Sequence, residues 1–181
     1  MQSRKKGKMS VDINPYVEQL KGELKETAYK ASDALARIGS EEVVDEMIML
    51  LEHPYSESRI LAARTLGLME HNERALEAIM NAVKNKENKA ISGDILMCLE
   101  EYDISALYVD MFKLYLFGSF KVSTVAKGFL DFKEFDITAR VIKKAEKHWS
   151  HYCSNVKQDE VFELKKVEVE SMLNDLKAFL D

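Results

Sequence analysis

Proline and glycine are scarce, with two prolines and seven glycines in 181 residues. A β-sandwich or barrel needs far more turn punctuation, so this shortage disfavours all-β designs and favours helices with short connections. Cysteine is as rare, at two. That is too few for a disulfide framework, so Cys98 and Cys153 read as free thiols of a reducing, cytoplasmic setting, with Cys98 buried and inert in an apolar helical pattern. No run of about 18 apolar residues exists, which removes a transmembrane helix. Positive charge is in deficit, at a formal net charge of -5. This disfavours nucleic acid as the main partner without excluding a local basic stripe. No Gly-rich phosphate loop, Gly-x-Ser-x-Gly elbow or His-Glu-x-x-His pair occurs. The sequence therefore nominates no catalytic residue, no cofactor and no metal ligand, and the expectation is a protein without enzymatic activity.

What is present is the balance of a folded domain, 46% hydrophobic and 31% charged. The opening stretch Met1–Ser10 is basic through Arg4, Lys5, Lys6 and Lys8 and lacks the apolar core of a signal peptide. Residues 1–13 read as a flexible basic tail, a weak anion-binding arm or residues foreign to the native chain. Residues 14–181 read as one all-α domain of about nine helices.

Periodicity carries that assignment. Asn14 and Pro15 suit an N-cap and first turn, followed by Leu20, Leu24, Ala28, Ala31, Leu35 and Ile38 at steps of four or three. Gly22 makes this segment one helix or two. Gly39 ends it and Ser40 opens a helix with Val44, Met47, Ile48 and Leu51, stopped by His53-Pro54. The next spans about Ser56 to Glu70, on Ile60, Ala63, Leu66 and Met69. Asn72 caps another, with Leu76, Ile79, Met80 and Val83. After the polar link Lys84–Lys89 come Ile91, Ile95 and Leu99. Asp103 is expected to cap a helix with Leu107 and Met111. Beyond the Gly118-Ser119 break lie Val122, Val125, Phe129 and Phe132. Asp136 is expected to cap the helix that carries Trp149. The last helix runs from about Glu160 to Leu180, with Val169, Met172, Leu173, Leu176 and Phe179 inward, and Glu160, Glu163, Lys165, Lys166, Glu168 and Glu170 toward water.

The pattern repeats. Leu99–Ala106 lies over Phe132–Ala139 at an offset of 33, with four of eight positions identical. Ala31–Ile38 lies over Ala62–Met69 at an offset of 31. Two helices per period of about 30 to 45 residues mean an α-solenoid. The best single unit, Ser58–Met69 followed by Glu73–Val83, resembles the short HEAT-like repeats of the phycobilisome-lyase type. Arg59, Ala62, Ala63, Leu66 and Gly67 match that family's Arg-x-x-Ala-Ala-x-x-Leu-Gly helix. The resemblance is clear over Ala31 to Val83 and degenerate over Lys89 to Lys147. It implies an α-α superhelix of about four helix pairs with a long C-terminal capping helix, acting as a scaffold that binds a protein or peptide.

In such a stack the second helices line the concave face. The resemblance thus assigns Glu41, Glu42, Asp45, Glu46, Arg74, Glu77, Asp110, Arg140, Lys143, Lys144 and Lys147 to a groove running from acidic to basic, which suits a partner of matching charge order. Nine of the sixteen aromatic residues fall between Tyr102 and Phe135. They fill core for the most part, but the apolar turn Tyr115–Phe120 offers Tyr115, Phe117 and Phe120 as an exposed anchor or a self-association patch. Trp149 near Arg140 and Lys144 echoes the HEAT-like alkylpurine DNA glycosylases, which makes nucleic-acid binding the alternative reading. His148, His151 and Cys153 cannot converge on one metal along a continuous helix. Glu52-His53 and Glu70-His71 reverse the His-Glu order of di-iron HEAT-repeat hydroxylases. They read better as histidines favoured by helix C-termini.

Overall fold

The computed structural model describes residues 11–70 and 72–180, so the basic opening Met1–Ser10 and His71 lie outside the described residues. Every regular element among the described residues is helical. The α-helices are α1 (Asn14–Leu20), α2 (Glu26–Ile38), α3 (Glu41–Leu50), α4 (Ser56–Gly67), α5 (Glu73–Lys84), α6 (Ser92–Met97), α7 (Tyr108–Phe117), α8 (Phe120–Phe132), α9 (Ala139–Asn155) and α10 (Glu160–Leu180). They fall into two compact units, Met1–Glu101 and Tyr102–Asp181.

In the first unit the Gly22 region separates α1 from α2, and Leu24 falls in the non-helical link, 40% exposed rather than on a buried face. Asn14 is the first helical residue and not the cap. Its backbone N–H donates to Asp12 Oδ1 at 3.1 Å, while Pro15 occupies the first turn where no N–H is needed. Gly39 terminates α2 with φ 56°, a left-handed conformation that glycine adopts without a Cβ penalty. Ser40 and Asn72 cap α3 and α5, accepting from the backbone N–H of Val43 and Ala75.

Packing follows the repeat. α2 lies on α4 and α4 on α6, forming one row, while α3 lies on α5 in a second row. α4 also touches α1 and α3, so it is enclosed on nearly all sides. Leu61, Ala62, Ala63, Thr65 and Leu66 are all buried, a wider apolar surface than the single stripe expected of a peripheral helix. The small residues have the expected role. A Cβ at Gly67 would lie 2.3 Å from the Cys98 carbonyl oxygen, so the chains meet there only because position 67 has no side chain. Arg59 clamps the turn before α4, donating from Nη1 to the carbonyls of His53 at 2.7 Å and Pro54 at 3.2 Å.

Polar links between α2 and α4 bridge one repeat length. Arg64 Nη1 donates to Ser32 Oγ at 2.7 Å across 32 positions, and Thr65 Oγ1 donates to the same oxygen at 2.9 Å across 33. Arg64 Nη2 pairs with Asp33 at 2.8 Å. Ser32 and Thr65 are buried and satisfied by these bonds, which avoids the cost of buried unpaired polar atoms, while Arg64 and Asp33 stay partly in water.

In the second unit α7 packs on both α8 and α9, and α9 on α10. Two expected caps are corrected. Asp103 accepts from Ser105 N–H at 2.9 Å and starts the 3-10 turn Ser105–Leu107, not α7 itself. The cap of α9 is Thr138, whose Oγ1 accepts from Val141 N–H, while the Asp136 N–H donates to the Ser105 carbonyl at 3.0 Å. The repeat nonetheless holds there, because Lys133 Nζ also reaches back 31 positions to the Tyr102 carbonyl at 3.1 Å. Phe132, expected in the core, ends α8 and is 89% exposed, and Phe179 is 77% exposed on the last turn of α10.

α10 is held by a buried apolar face, Phe162, Val169 and Leu173. Phe162 stacks on Trp149 with ring centroids 6.0 Å apart, and Trp149 stacks on Tyr152 at 5.6 Å. Of the residues expected in water, Lys165 turns inward, while Glu168 stays exposed but is held by partners. Lys165 is half-buried, donating to the Tyr115 carbonyl at 2.9 Å with its ammonium 4.3 Å from the Tyr115 ring centre. Glu168 accepts from the Tyr115 hydroxyl and pairs with Lys127 at 3.1 Å. A four-carbon stem lets lysine pack along apolar surface while its head finds a carbonyl, so a charged letter in an amphipathic helix does not by itself mean a wet position.

Candidate functional site

The α3–α5 pair presents the acidic surface. On α3 the steps from Glu42 to Asp45 and Met49 are three and four, one stripe of a helix, and Glu52 follows in the turn after α3; all four are exposed. Met49 is 62% exposed in the middle of the carboxylates. Glu41 is exposed and Glu46 half-buried. On α5, Glu73, Arg74 and Glu77 are exposed. Arg74 spans the two helices: Nη1 pairs with Glu41 at 3.0 Å and Nη2 with Asp45. Two carboxylates of the acidic run are therefore already partnered within the protein, which sequence reading treated as free. The negative field left for a partner comes from Glu42, Glu46, Glu52 and Glu77. An ion pair this exposed orients its side chains and adds little stability.

Beside this surface, an open cleft of about 920 Å³ lies between the α2–α3 and α4–α5 turns, lined among others by Asp33, Arg37, Glu41, Leu68, Glu70 and Asn72. Its walls mix both charges with apolar groups and carry no nucleophile.

The α7–α9 pair presents the basic surface. Arg140, Lys143, Lys144 and Lys147 are all exposed along α9, opposite its buried Ile142, Ala145 and Trp149. Asp110 on α7 is only half-exposed. Burial and the nearby Lys113, Lys147 and His151 hold the His148 imidazole below its ordinary pKa, against the pull of Asp110. The expected apolar anchor divides. Phe117 is 48% exposed and packs on the His151 and Tyr152 rings, and Phe120 is 89% exposed. Tyr115 is buried, tied by its hydroxyl to Glu168, and offers a partner nothing.

Trp149 is also corrected. It is 9% exposed in the α9–α10 core, and nine positions from Arg140 place it on the opposite side of α9, so it cannot stack on a base beside that arginine. His53 serves its turn, with Nδ1 accepting from Tyr55 N–H at 3.3 Å. His148, His151 and Cys153 sit on unbroken helix. Among the described residues no group of three or more His, Cys, Asp or Glu is placed to hold a metal ion. No helix among them is long and apolar enough to cross a membrane.

Pairs of helices joined by short turns, with like helices of successive pairs in contact, define a helical-repeat protein. Residues 13–100, just under half of the chain, match the family model described as HEAT repeats. That stretch coincides with the two helix rows of the first unit and is similar to HEAT repeats in sequence. No curated protein matches the chain.

Proposed function

We propose that this chain is a non-enzymatic protein-interaction module whose α3–α5 face receives a basic helical segment of a partner. Repeats of this kind commonly act as interaction scaffolds, because stacking displays one extended surface instead of one deep pocket. The observation that carries the reading is the exposed Glu42 and Met49 on α3 and Glu52 in the turn after it, with Glu77 on the adjacent α5. Carboxylates steer a cationic partner, and the exposed methionine between them supplies an adaptable apolar contact at the centre. The same reading extends to the subtype: Arg59, Ala62, Ala63, Leu66 and Gly67 fit the short repeats of the phycobilisome-lyase type. A quantitative pull-down tests the face. The double variant Glu42→Lys, Glu77→Lys should lose the partner recovered by the unaltered protein while keeping its helical spectrum, and unchanged recovery would reject α3–α5 as the site.

A further inference from the structure

We infer that the basic segment taken by the α3–α5 face is the α9 stripe of a second copy of this chain. The inference rests on the reading of α3–α5 as a binding face and names its occupant. Charge complementarity is the argument. Arg140, Lys143, Lys144 and Lys147 are exposed, and no carboxylate among the described residues pairs with them. Such a stripe is a cationic rod one helix wide, because its members lie three, one and three positions apart. The α3–α5 face is anionic through Glu42 and Glu46 on α3, Glu52 in the turn after it and Glu77 on α5, while Glu41 and Asp45 are taken by Arg74. The four cations of α9 span about two turns, roughly 10 Å at about 1.5 Å per residue, a length comparable to the acidic face.

The apolar groups match as well. Met49 interrupts the carboxylates, and the half-exposed Phe117 lies against His151 and Tyr152, on the turns of α9 that follow the cations. A methionine against an aromatic edge is a favourable contact. Every molecule carries both surfaces, so each face meets its complement at the protein's own concentration. The contact joins two different surfaces. It is heterologous, closing into a reciprocal pair where the geometry allows two such contacts and otherwise extending head to tail.

Sedimentation velocity of the full chain at low and high salt is the test. The unaltered protein should exceed its 20.8 kDa monomer mass at low salt, increasingly with concentration, and return toward monomer at high salt. Glu42→Lys, Glu52→Lys on the acidic face and Arg140→Glu, Lys144→Glu on α9 should each weaken association roughly tenfold or more. Each of these variants carries like charge on both faces, so an equimolar mixture of the two should associate again where neither does alone. Recovery in the mixture supports the pairing. Circular dichroism confirms that both variants are folded, and these exposed positions have no packing role. A monomer at every concentration and salt overturns self-pairing. If the α3–α5 variant still loses a different partner in the pull-down, the interaction-module reading stands without it. Association abolished by the α9 variant but indifferent to the α3 variant overturns the self-pairing through α3–α5, while the pull-down alone decides whether that face binds another partner.

Discussion

A methyl group at position 67 would collide with the carbonyl oxygen of Cys98, backbone that cannot turn aside as a flexible side chain can. Gly67→Ala should therefore destabilise the first unit by about 1–3 kcal/mol, read as a lower urea midpoint in equilibrium unfolding. Thr65→Val keeps the volume but leaves the buried Ser32 hydroxyl one partner short, and should cost about 1–2 kcal/mol in the same measurement. Position 67 was legible in the sequence because a small residue at a fixed place in a repeated pattern has one physical use. The inward turn of Lys165 was not legible. Whether a lysine head meets water or a carbonyl depends on what stands opposite, and Tyr115 and Ser123 lie more than forty positions earlier in the chain. Trp149 misled for the same reason: closeness in sequence to Arg140 says nothing until the helical phase places one inward and the other outward.

Helix starts are set locally, and most were readable. Ser40→Ala and Asn72→Ala should each cost about 1 kcal/mol of unfolding free energy, the usual loss when a capping oxygen is removed. α9 offers a sharper comparison. Thr138→Ala should show a similar loss while a change at the Asp136 side chain shows little, since Asp136 takes part through its backbone N–H. Sequence reading chose Asp136 because aspartate is a good cap and the Leu99–Ala106 repeat placed Asp103 at the matching position. The helix starts later because Asp136 is held in a backbone link to the preceding repeat. The acidic and basic helices were likewise legible as compositions. That Arg74 neutralises part of α3 was not, since it requires knowing that α3 and α5 are neighbours.

Both units bury groups that would release a proton in alkali. Burial pushes the Cys98 thiol from 9.0 up to about 12, and likewise the Tyr102 and Tyr108 hydroxyls from 10.0 up to about 12. The folded chain thus holds protons that the unfolded chain gives up near pH 9 to 10. This contribution to stability is complete below pH 9 and declines as pH rises toward 12. Urea midpoints should fall between about pH 8.5 and 11, and a constant midpoint would contradict the burial of these groups. Cys98 should also resist thiol reagents until the chain unfolds, as only the thiolate is nucleophilic.

The bonds Ser32–Arg64, Ser32–Thr65, Glu41–Arg74, Tyr102–Lys133 and Ser105–Asp136 all join residues 31 to 33 positions apart. Each closes a loop of similar, modest length, and the entropy of loop closure grows only slowly with length. No link among them has to wait for the two ends of the polypeptide to find each other. Refolding should accordingly be rapid, on the millisecond scale or faster that low contact order permits, and a nucleus formed at any one link can spread to the next.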